Sequence, residues 1–293
     1  KYTVTVTSDA NGMASADKTA DVVAGETVTL TATPKSGYVF DKWTDKTPTS
    51  LVIGADGTFT MPNGNVSVNA TFKGAALTGT ASITGTEKFG QTLTADTTGI
   101  TNNTGTFSYQ WKRNGTDIPS ETSSTYKLVA DDIGKTITVK ITSDVQTGEI
   151  TSPATGTINK ADGPAAPAAF TLGFKLNSDG TTFTATIPAV PGGEYSFDGA
   201  TYSATNTKTD CAANTGYTGY VRIAETPTQK ASTATSDMQT APKLTVATPT
   251  FTPNGAISFS GTQSVTITCD TADAKIYYTT DGKVPTSADK LYT

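Results

Sequence analysis

The most constraining feature of the sequence is a two-residue alternation of apolar side chains with threonine and other polar residues. It recurs along the whole chain, for example in VSVNATF at 66–72, ITVKI at 137–141 and FTLGFKL at 170–176. An alternation of period two places one set of side chains on a buried sheet face and the other set in water. Threonine, a β-branched residue suited to strands, makes up about a fifth of the chain. We therefore predict an all-β fold, with an α+β arrangement of the first module as the alternative.

Three joints interrupt the alternation and divide the chain into four modules. The first joint is FKGAALTG, the second is the Pro- and Ala-rich NKADGPAAPAAF, and the third is TAPKLTVATPTF. The predicted modules are residues 1–74, 75–160, 161–244 and 245–293. Each is small enough to bury only about 60% of its unfolded surface, so each is modestly stable alone. The pattern predicts tandem small β-sandwich-like modules in an elongated, semi-rigid string that is monomeric.

Charge and hydropathy exclude two classes of partner. The formal net charge is −5, and Arg113 and Arg222 are the only arginines in the sequence. Nucleic-acid binding needs clustered Lys and Arg to neutralise phosphates, so no nucleic-acid partner is expected. The sequence contains no apolar run near the ~20 residues needed to span a bilayer. Because it begins at Lys1 rather than Met and stops in the strand-like KLYT, we expect a removed signal peptide and an excised piece of a larger protein.

The residue inventory argues against catalysis. The chain has no histidine, which removes the commonest general base and metal ligand. Its acidic residues fall in turns such as Asp9–Gly12, which starts like a calcium loop but lacks the closing Glu. We therefore predict no enzymatic activity, no metal site and no cofactor. A Lys–Asn isopeptide cross-link from Lys140 or Lys175 stays open, since strand pairing cannot be read from sequence.

The two cysteines form no metal-binding motif. Cys269 lies in SVTITCD, where Val265, Ile267 and Cys269 share one face of the expected strand. We predict that Cys269 is a buried free thiol of the core, with a disulfide to Cys211 as the alternative.

The first module contains SGYVFDKWT and the later segment FTMPNGNVSVNATF. These segments resemble the divergent internalin-B-type repeat that occurs in tandem on bacterial surface proteins. The resemblance implies that Trp43 belongs to the core of the module rather than to an exposed platform.

The second module contains FSYQWKRNGTDI at 107–118, followed by an Asp-x-Gly corner at Asp132–Gly134. It resembles a bacterial immunoglobulin-like domain, although no cysteine flanks the tryptophan. Trp111 alternates in phase with Tyr109 and Phe107, as an inward-facing row does. Trp111 is therefore predicted to be a core residue, with an exposed binding platform as the alternative.

The third module contains NTGYTGYVRIAE at 214–225. This segment resembles the sixth strand of a fibronectin type III relative. The resemblance implies that Tyr217 is a core residue whose hydroxyl ties the strand to a nearby loop. Tyr220 and Arg222 then face outward, and they are candidate binding residues for a sugar or a protein.

The fourth module contains IYYTTDG at 276–282, followed by Pro285 and Thr286. It resembles the chitobiase/β-hexosaminidase C-terminal domain, a non-catalytic accessory domain. The match ends at Thr293 before the last expected strands, so an incomplete module is expected. One of the two adjacent tyrosines should face solvent, which makes Tyr277 a further candidate binding residue.

Together these features predict a non-catalytic stalk or adhesion region of an extracellular bacterial protein, on the cell surface or secreted. It would space or present other domains, and its partners would be a host or cell-wall glycan or protein. One alternative is a carbohydrate-binding accessory region of a secreted glycoside hydrolase. Another is a phage or cell-wall structural protein built from the same modules.

Overall fold

The computed structural model describes residues 1–254, 260–271 and 274–293. These residues form short strands joined by turns, and their one helical element is a 3₁₀ turn at Ala130–Asp132. The all-β prediction is confirmed. None of the described residues belongs to a helix long and apolar enough to cross a membrane.

The chain divides into two compact units. The first comprises Lys1–Ala161 with Pro227–Gln229, and the second comprises Asp162–Thr226 with Lys230–Thr293. The four modules predicted from the joints remain a prediction, and they serve below as names for the segments.

The first module is a pair of three-stranded sheets around one core. Its strands are β1 (Val4–Ser8), β2 (Gly12–Ala16), β3 (Thr27–Pro34), β4 (Tyr38–Thr47), β5 (Thr58–Thr60) and β6 (Val66–Gly74). One sheet has the order β1-β6-β4 with β1 parallel to β6, and the other has the order β2-β3-β5. All residues from 1 to 74 are described and contain no helix, so the α+β alternative for this module is wrong. Val28, Phe59, Val66 and Val68 lie at the centre of the core.

The second module packs a four-stranded sheet on a three-stranded one. Its strands are β7 (Ser82–Gly85), β8 (Thr92–Asp96), β9 (Phe107–Arg113), β10 (Thr116–Asp117), β11 (Thr125–Lys127), β12 (Ile137–Ser143) and β13 (Ile150–Thr151). The sheet orders are β10-β9-β12-β13 and β11-β8-β7. Alternate residues of β12, namely Ile137, Val139 and Ile141, are buried as the period-two pattern predicts.

The third and fourth modules lie in the second unit. The third has two three-stranded sheets, β14-β15-β17 and β16-β18-β19, around a core that includes Leu172, Phe183 and Val221. The fourth has two strand pairs, β20-β21 and β22-β23, and Ile267 is the buried apolar side chain of its described residues. The strands are β14 (Gly173–Leu176), β15 (Thr182–Thr186), β16 (Gly193–Ser196), β17 (Thr207–Ala212), β18 (Gly216–Ile223), β19 (Thr235–Thr240), β20 (Thr250–Thr252), β21 (Thr266–Thr268), β22 (Tyr277–Tyr278) and β23 (Lys290–Leu291).

Candidate functional site

Trp111 lies fully buried at the centre of the second module. Its indole Nε1 donates a hydrogen bond to the Ser123 carbonyl at 2.8 Å, and its ring centroid lies 5.6 Å from that of Tyr126. The half-buried Tyr109 and Phe107 pack against the same core. A tryptophan in this position contributes a large apolar area with its polar atom satisfied, and it offers no face to a ligand.

A buried carboxylate that contacts Tyr126 accepts hydrogen bonds from three donors. Asp132 is fully buried, and its Oδ1 accepts a hydrogen bond from Arg113 Nε at 2.7 Å. Its Oδ2 accepts hydrogen bonds from the Tyr126 hydroxyl at 2.8 Å and from the Val129 amide at 2.7 Å. The sequence marked Asp132 only as part of a corner. Because the sequence contains only two arginines, the presence of Arg113 in this module was the one signal that pointed to a partner for Asp132.

The Asp132 network makes a prediction about alkaline stability. Burial, followed by the hydrogen bond to Asp132, raises the pKa of Tyr126 to about 12 from an ordinary value of 10. A pKa raised by folding gives stability that is complete below pH 10 and is lost as the pH rises towards 12. We expect Tyr126→Phe to lose less stability than the parent chain between pH 9 and pH 11.5, in urea unfolding of Trp43→Phe chains followed by Trp111 emission. Tyr109→Phe is the control, and it should keep the pH dependence of the parent chain. An unchanged pH dependence in Tyr126→Phe would contradict the assignment.

Tyr217 is half-buried against the core of the third module. Its hydroxyl oxygen accepts a hydrogen bond from the Ala212 amide at 2.8 Å, and its ring centroid lies 6.0 Å from that of Phe174. The side chain therefore fastens β18 to the end of β17.

The two outward candidates on β18 are both engaged within their own module. The Nε of Arg222 lies 2.5 Å from Glu194 Oε1, and its guanidinium carbon lies 3.9 Å from the centre of the Tyr202 ring. Tyr220 is half-buried with its ring against Gly199, where a Cβ would come within 3.2 Å of the ring. The face that carries both residues is a partly exposed polar and aromatic surface whose charges are already paired.

Tyr277 lines a groove in the fourth module. The groove has a volume of about 670 Å³, and its walls include Pro249, Phe251, Ile276 and Lys283. Tyr277 and Tyr278 are both half-buried. The Tyr278 ring meets the Tyr292 ring edge-on at 6.4 Å, so Tyr277 is the less constrained of the two.

Trp43 is half-buried at the edge of the first core. Its ring centroid lies 5.2 Å from that of Phe40.

Both cysteines are free thiols. Cys211 is buried and its Sγ lies 3.3 Å from the Lys208 carbonyl, whereas Cys269 is half-buried with its Sγ 3.2 Å from the Ala247 carbonyl. Val265, placed on the same strand face as Cys269 by the alternation, is largely exposed. This face of β21 is therefore only partly covered by the described residues.

The acidic residues in turns act as hydrogen-bond acceptors. The Asp179 carboxylate accepts hydrogen bonds from the Thr182 hydroxyl and from the Thr181 and Thr182 amides, which lower the pKa of Asp179 to about 2. Asp9, in the segment that starts like a calcium loop, accepts hydrogen bonds from the Asn11 and Phe72 amides. Among the described residues, no group of three or more His, Cys, Asp or Glu side chains is placed to hold a metal ion.

Neither lysine that could form a cross-link, Lys140 or Lys175, has an asparagine directly opposite it among the described strand pairs. Lys140 pairs with Gln110 and Thr151, and Lys175 pairs with Thr184. The Lys140 ammonium lies 3.4 Å from the Glu149 carboxylate.

Comparison with known proteins finds family matches for the two ends of the chain. Residues 2–76 match the family described as Divergent InlB B-repeat domain. Residues 253–293 match the family described as Chitobiase/beta-hexosaminidase C-terminal domain. The resemblances predicted for the first and fourth modules are thereby confirmed.

The remaining comparisons are remote. No curated protein matches the chain. Among solved structures, the crystal structure of chicken CNTN1 FN1-FN3 domains aligns with 80% of this chain and 99% of that chain, at 13% sequence identity and a TM-score of 0.22.

Proposed function

We propose that this chain is a non-catalytic spacing and presenting region of an extracellular bacterial protein, located on the cell surface or secreted. The two matched families support this proposal, since one is a surface-protein repeat and the other is an accessory domain. The observation that carries it is the joint between the first two modules, where buried polar groups and backbone fix one module to the other. A spacer needs such stiffness, whereas a pair of independently acting domains does not.

One backbone hydrogen bond crosses the joint, from Ala75 to Gly37, and two others fix the first residues of the second module. The Leu77 amide donates to the Thr147 carbonyl at 2.8 Å, and the Thr147 amide donates to the Ala75 carbonyl at 3.0 Å. The Ala75 amide donates to the Gly37 carbonyl at 2.9 Å. A Cβ on Gly74 would overlap the Val145 carbonyl, so the chain can pass this close only as glycine.

Gln146 completes the joint from the side of the second module. It is 3% exposed, and its Nε2 donates to the Gly37 carbonyl at 3.1 Å and to Thr104 Oγ1 at 2.8 Å. Its Oε1 accepts from the Thr104 amide at 3.0 Å and from the Ser143 hydroxyl at 3.1 Å. Both donors of the Gln146 amide are therefore used, and its oxygen accepts from the Thr104 amide, whereas the single Ser143 hydroxyl proton is shared with Asn103 Oδ1 at 2.8 Å. A buried amide bonded in this way holds its partners in one geometry.

The backbone conformation at Gly37 and the lack of a side chain there allow this contact. Gly37 has φ +82°, and a Cβ at this position would lie 2.7 Å from Thr104 Cγ2 and 3.2 Å from the Asn102 carbonyl. Any other residue would strain the backbone and push the two modules apart.

The carbohydrate-binding alternative has one observation in its favour, the groove beside Tyr277, where aromatic rings line a concave surface.

We expect the purified chain to hydrolyse no chromogenic glycoside and to show no saturable retention on plant, mucin or chitin glycan arrays. Retention abolished by Tyr277→Ala but kept in Tyr220→Ala would favour the alternative and overturn the spacer proposal for the fourth module. Glycoside hydrolysis by the chain would overturn the non-catalytic reading.

A further inference from the structure

A surface depression in the first module has the composition of a small ligand site. It has a volume of about 290 Å³, and Phe40 and Trp43 form one wall. The turn at 54–57 forms another wall, and Leu30 and Ala32 also line it. Asp56 is the one charged residue of this lining. The volume is near the lower limit for pockets that hold small molecules.

A β-bulge brings the two rings to one face. Phe40 pairs with Phe72 and Trp43 pairs with Ala70, but Asp41 is an extra residue between these pairs. Residues three apart on a regular strand point to opposite faces, so Phe40 and Trp43 share a face only because of this bulge. Bulges occur where a strand must redirect a side chain.

The rings form an angled wall that the core does not fully cover. Their planes are inclined at 53°, with centroids 5.2 Å apart. Phe40 remains 37% exposed, whereas the ring of its cross-strand neighbour Phe72 is buried. An exposed π face carries partial negative charge and attracts cations.

The Asp56 carboxylate of the same lining is held through one of its oxygens. Asp56 Oδ1 accepts hydrogen bonds from the Thr58 amide at 3.0 Å and from the Thr58 hydroxyl at 2.9 Å, which lower the pKa of the carboxyl group. Its Oδ2 has no hydrogen-bond partner within the described ranges. The turn itself is held by a hydrogen bond from the Leu30 amide to the Gly57 carbonyl at 3.0 Å.

We propose that this depression, formed by Phe40, Trp43 and Asp56, binds an organic cation of the alkylated ammonium class. Two inclined aromatic faces and an ionised carboxylate complement a positive charge carried on an apolar group. A neutral sugar would gain stacking from the rings but would not use the charge of Asp56. This inference does not depend on the spacer proposal, because a spacer can carry such a site or lack it.

The test follows the indole resonance of Trp43 in the full chain by ¹⁵N NMR, with Trp111 as an internal reference. The probes are choline and its neutral carbon isostere 3,3-dimethylbutan-1-ol. We expect choline to cause a saturable shift of the Trp43 resonance. The dissociation constant should be in the millimolar range, which corresponds to a binding free energy of ~4 kcal/mol. The isostere should cause no saturable shift, and the Trp111 resonance should not move with either probe.

Variants test the two halves of the site. Asp56→Asn keeps the acceptor for Thr58 and removes the charge, and it should weaken choline binding by roughly threefold to fivefold. Phe40→Leu keeps apolar volume and removes the π face, and it should weaken binding to a similar extent.

Asp96→Asn is the matched control, because Asp96 makes the same pair of hydrogen bonds, to the Thr98 amide at 2.9 Å and the Thr98 hydroxyl at 2.7 Å, in the second module. It should bind choline as the parent chain does. The proposal is overturned if choline gives no saturable shift, if the isostere binds equally well, or if Asp56→Asn binds as well as Asp96→Asn. A saturable shift with N-acetylglucosamine but not with choline would overturn it in favour of a sugar site.

Discussion

Replacing Asp132 with alanine should lower the free energy of unfolding of the second module by about 3–5 kcal/mol, the loss expected when one partner of a buried ion pair is removed. The substitution leaves the Tyr126 hydroxyl and the Val129 amide without their acceptor inside the protein, and it leaves Arg113 without its closest carboxylate. Unsatisfied buried donors account for much of this loss. Urea unfolding of Trp43→Phe chains, followed by Trp111 emission, measures it.

The neighbouring residue provides the control for this prediction. Asp131 also lies near Arg113, at 4.0 Å, but its side chain is 84% exposed. Asp131→Ala should change the free energy of unfolding by less than about 0.5 kcal/mol, because exposed ion pairs contribute little. Equal effects of the two substitutions would show that the buried network does not stabilise the module.

Replacing Gln146 with alanine should separate the unfolding of the first two modules. The hydrogen bonds of the Gln146 amide are lost, so the Gly37 carbonyl keeps only the Ala75 amide as a donor and the Thr104 amide loses its acceptor. We expect a loss of about 2–3 kcal/mol, divided between the second module, which contains Thr104 and Ser143, and the contact with Gly37 of the first module. Trp43 and Trp111 report on one module each, so Trp111→Phe and Trp43→Phe chains follow the two transitions separately.

In the parent chain the unfolding transitions of the first and second modules should coincide, and in Gln146→Ala they should occur at different urea concentrations. Gln110→Ala is the control, since Gln110 donates hydrogen bonds only within its module, to the carbonyls of Trp111 and Ile118. It should destabilise the second module. The transitions of the two modules should separate by no more than this loss of stability explains. A Gln146→Ala chain whose transitions still coincide would contradict the role given to Gln146.

Strand alternation carried most of the fold prediction. Where a strand is regular, as in β9 and β12, the period-two pattern identifies the buried side chains, because one face of each strand meets the core. The pattern was less informative at β4, where the extra residue Asp41 changes the phase between Phe40 and Trp43. A bulge depends on how two strands pair, and local sequence carries little signal for that pairing.

The polar interactions at the joint and in the core were beyond the reach of the sequence. Gln146 lies in a turn, and its partner Gly37 is 109 positions away. Hydrogen-bond donors and acceptors of this kind have no periodic signature, so only the tertiary structure brings them together. The same holds for Arg113 and Asp132, which are 19 positions apart.

The central claim, that the first two modules form one stiff spacer, is tested most directly by a distance distribution across their joint. Spin labels at Met13→Cys on β2 and Lys127→Cys on β11, in a Cys211→Ser and Cys269→Ser background, place one exposed label in each module. A pair at Lys127→Cys and Thr151→Cys gives the reference width within the second module. Our account predicts a single distribution across the joint that is as narrow as the reference, and a broader one after Gln146→Ala. A broad or multimodal distribution with Gln146 intact would contradict it.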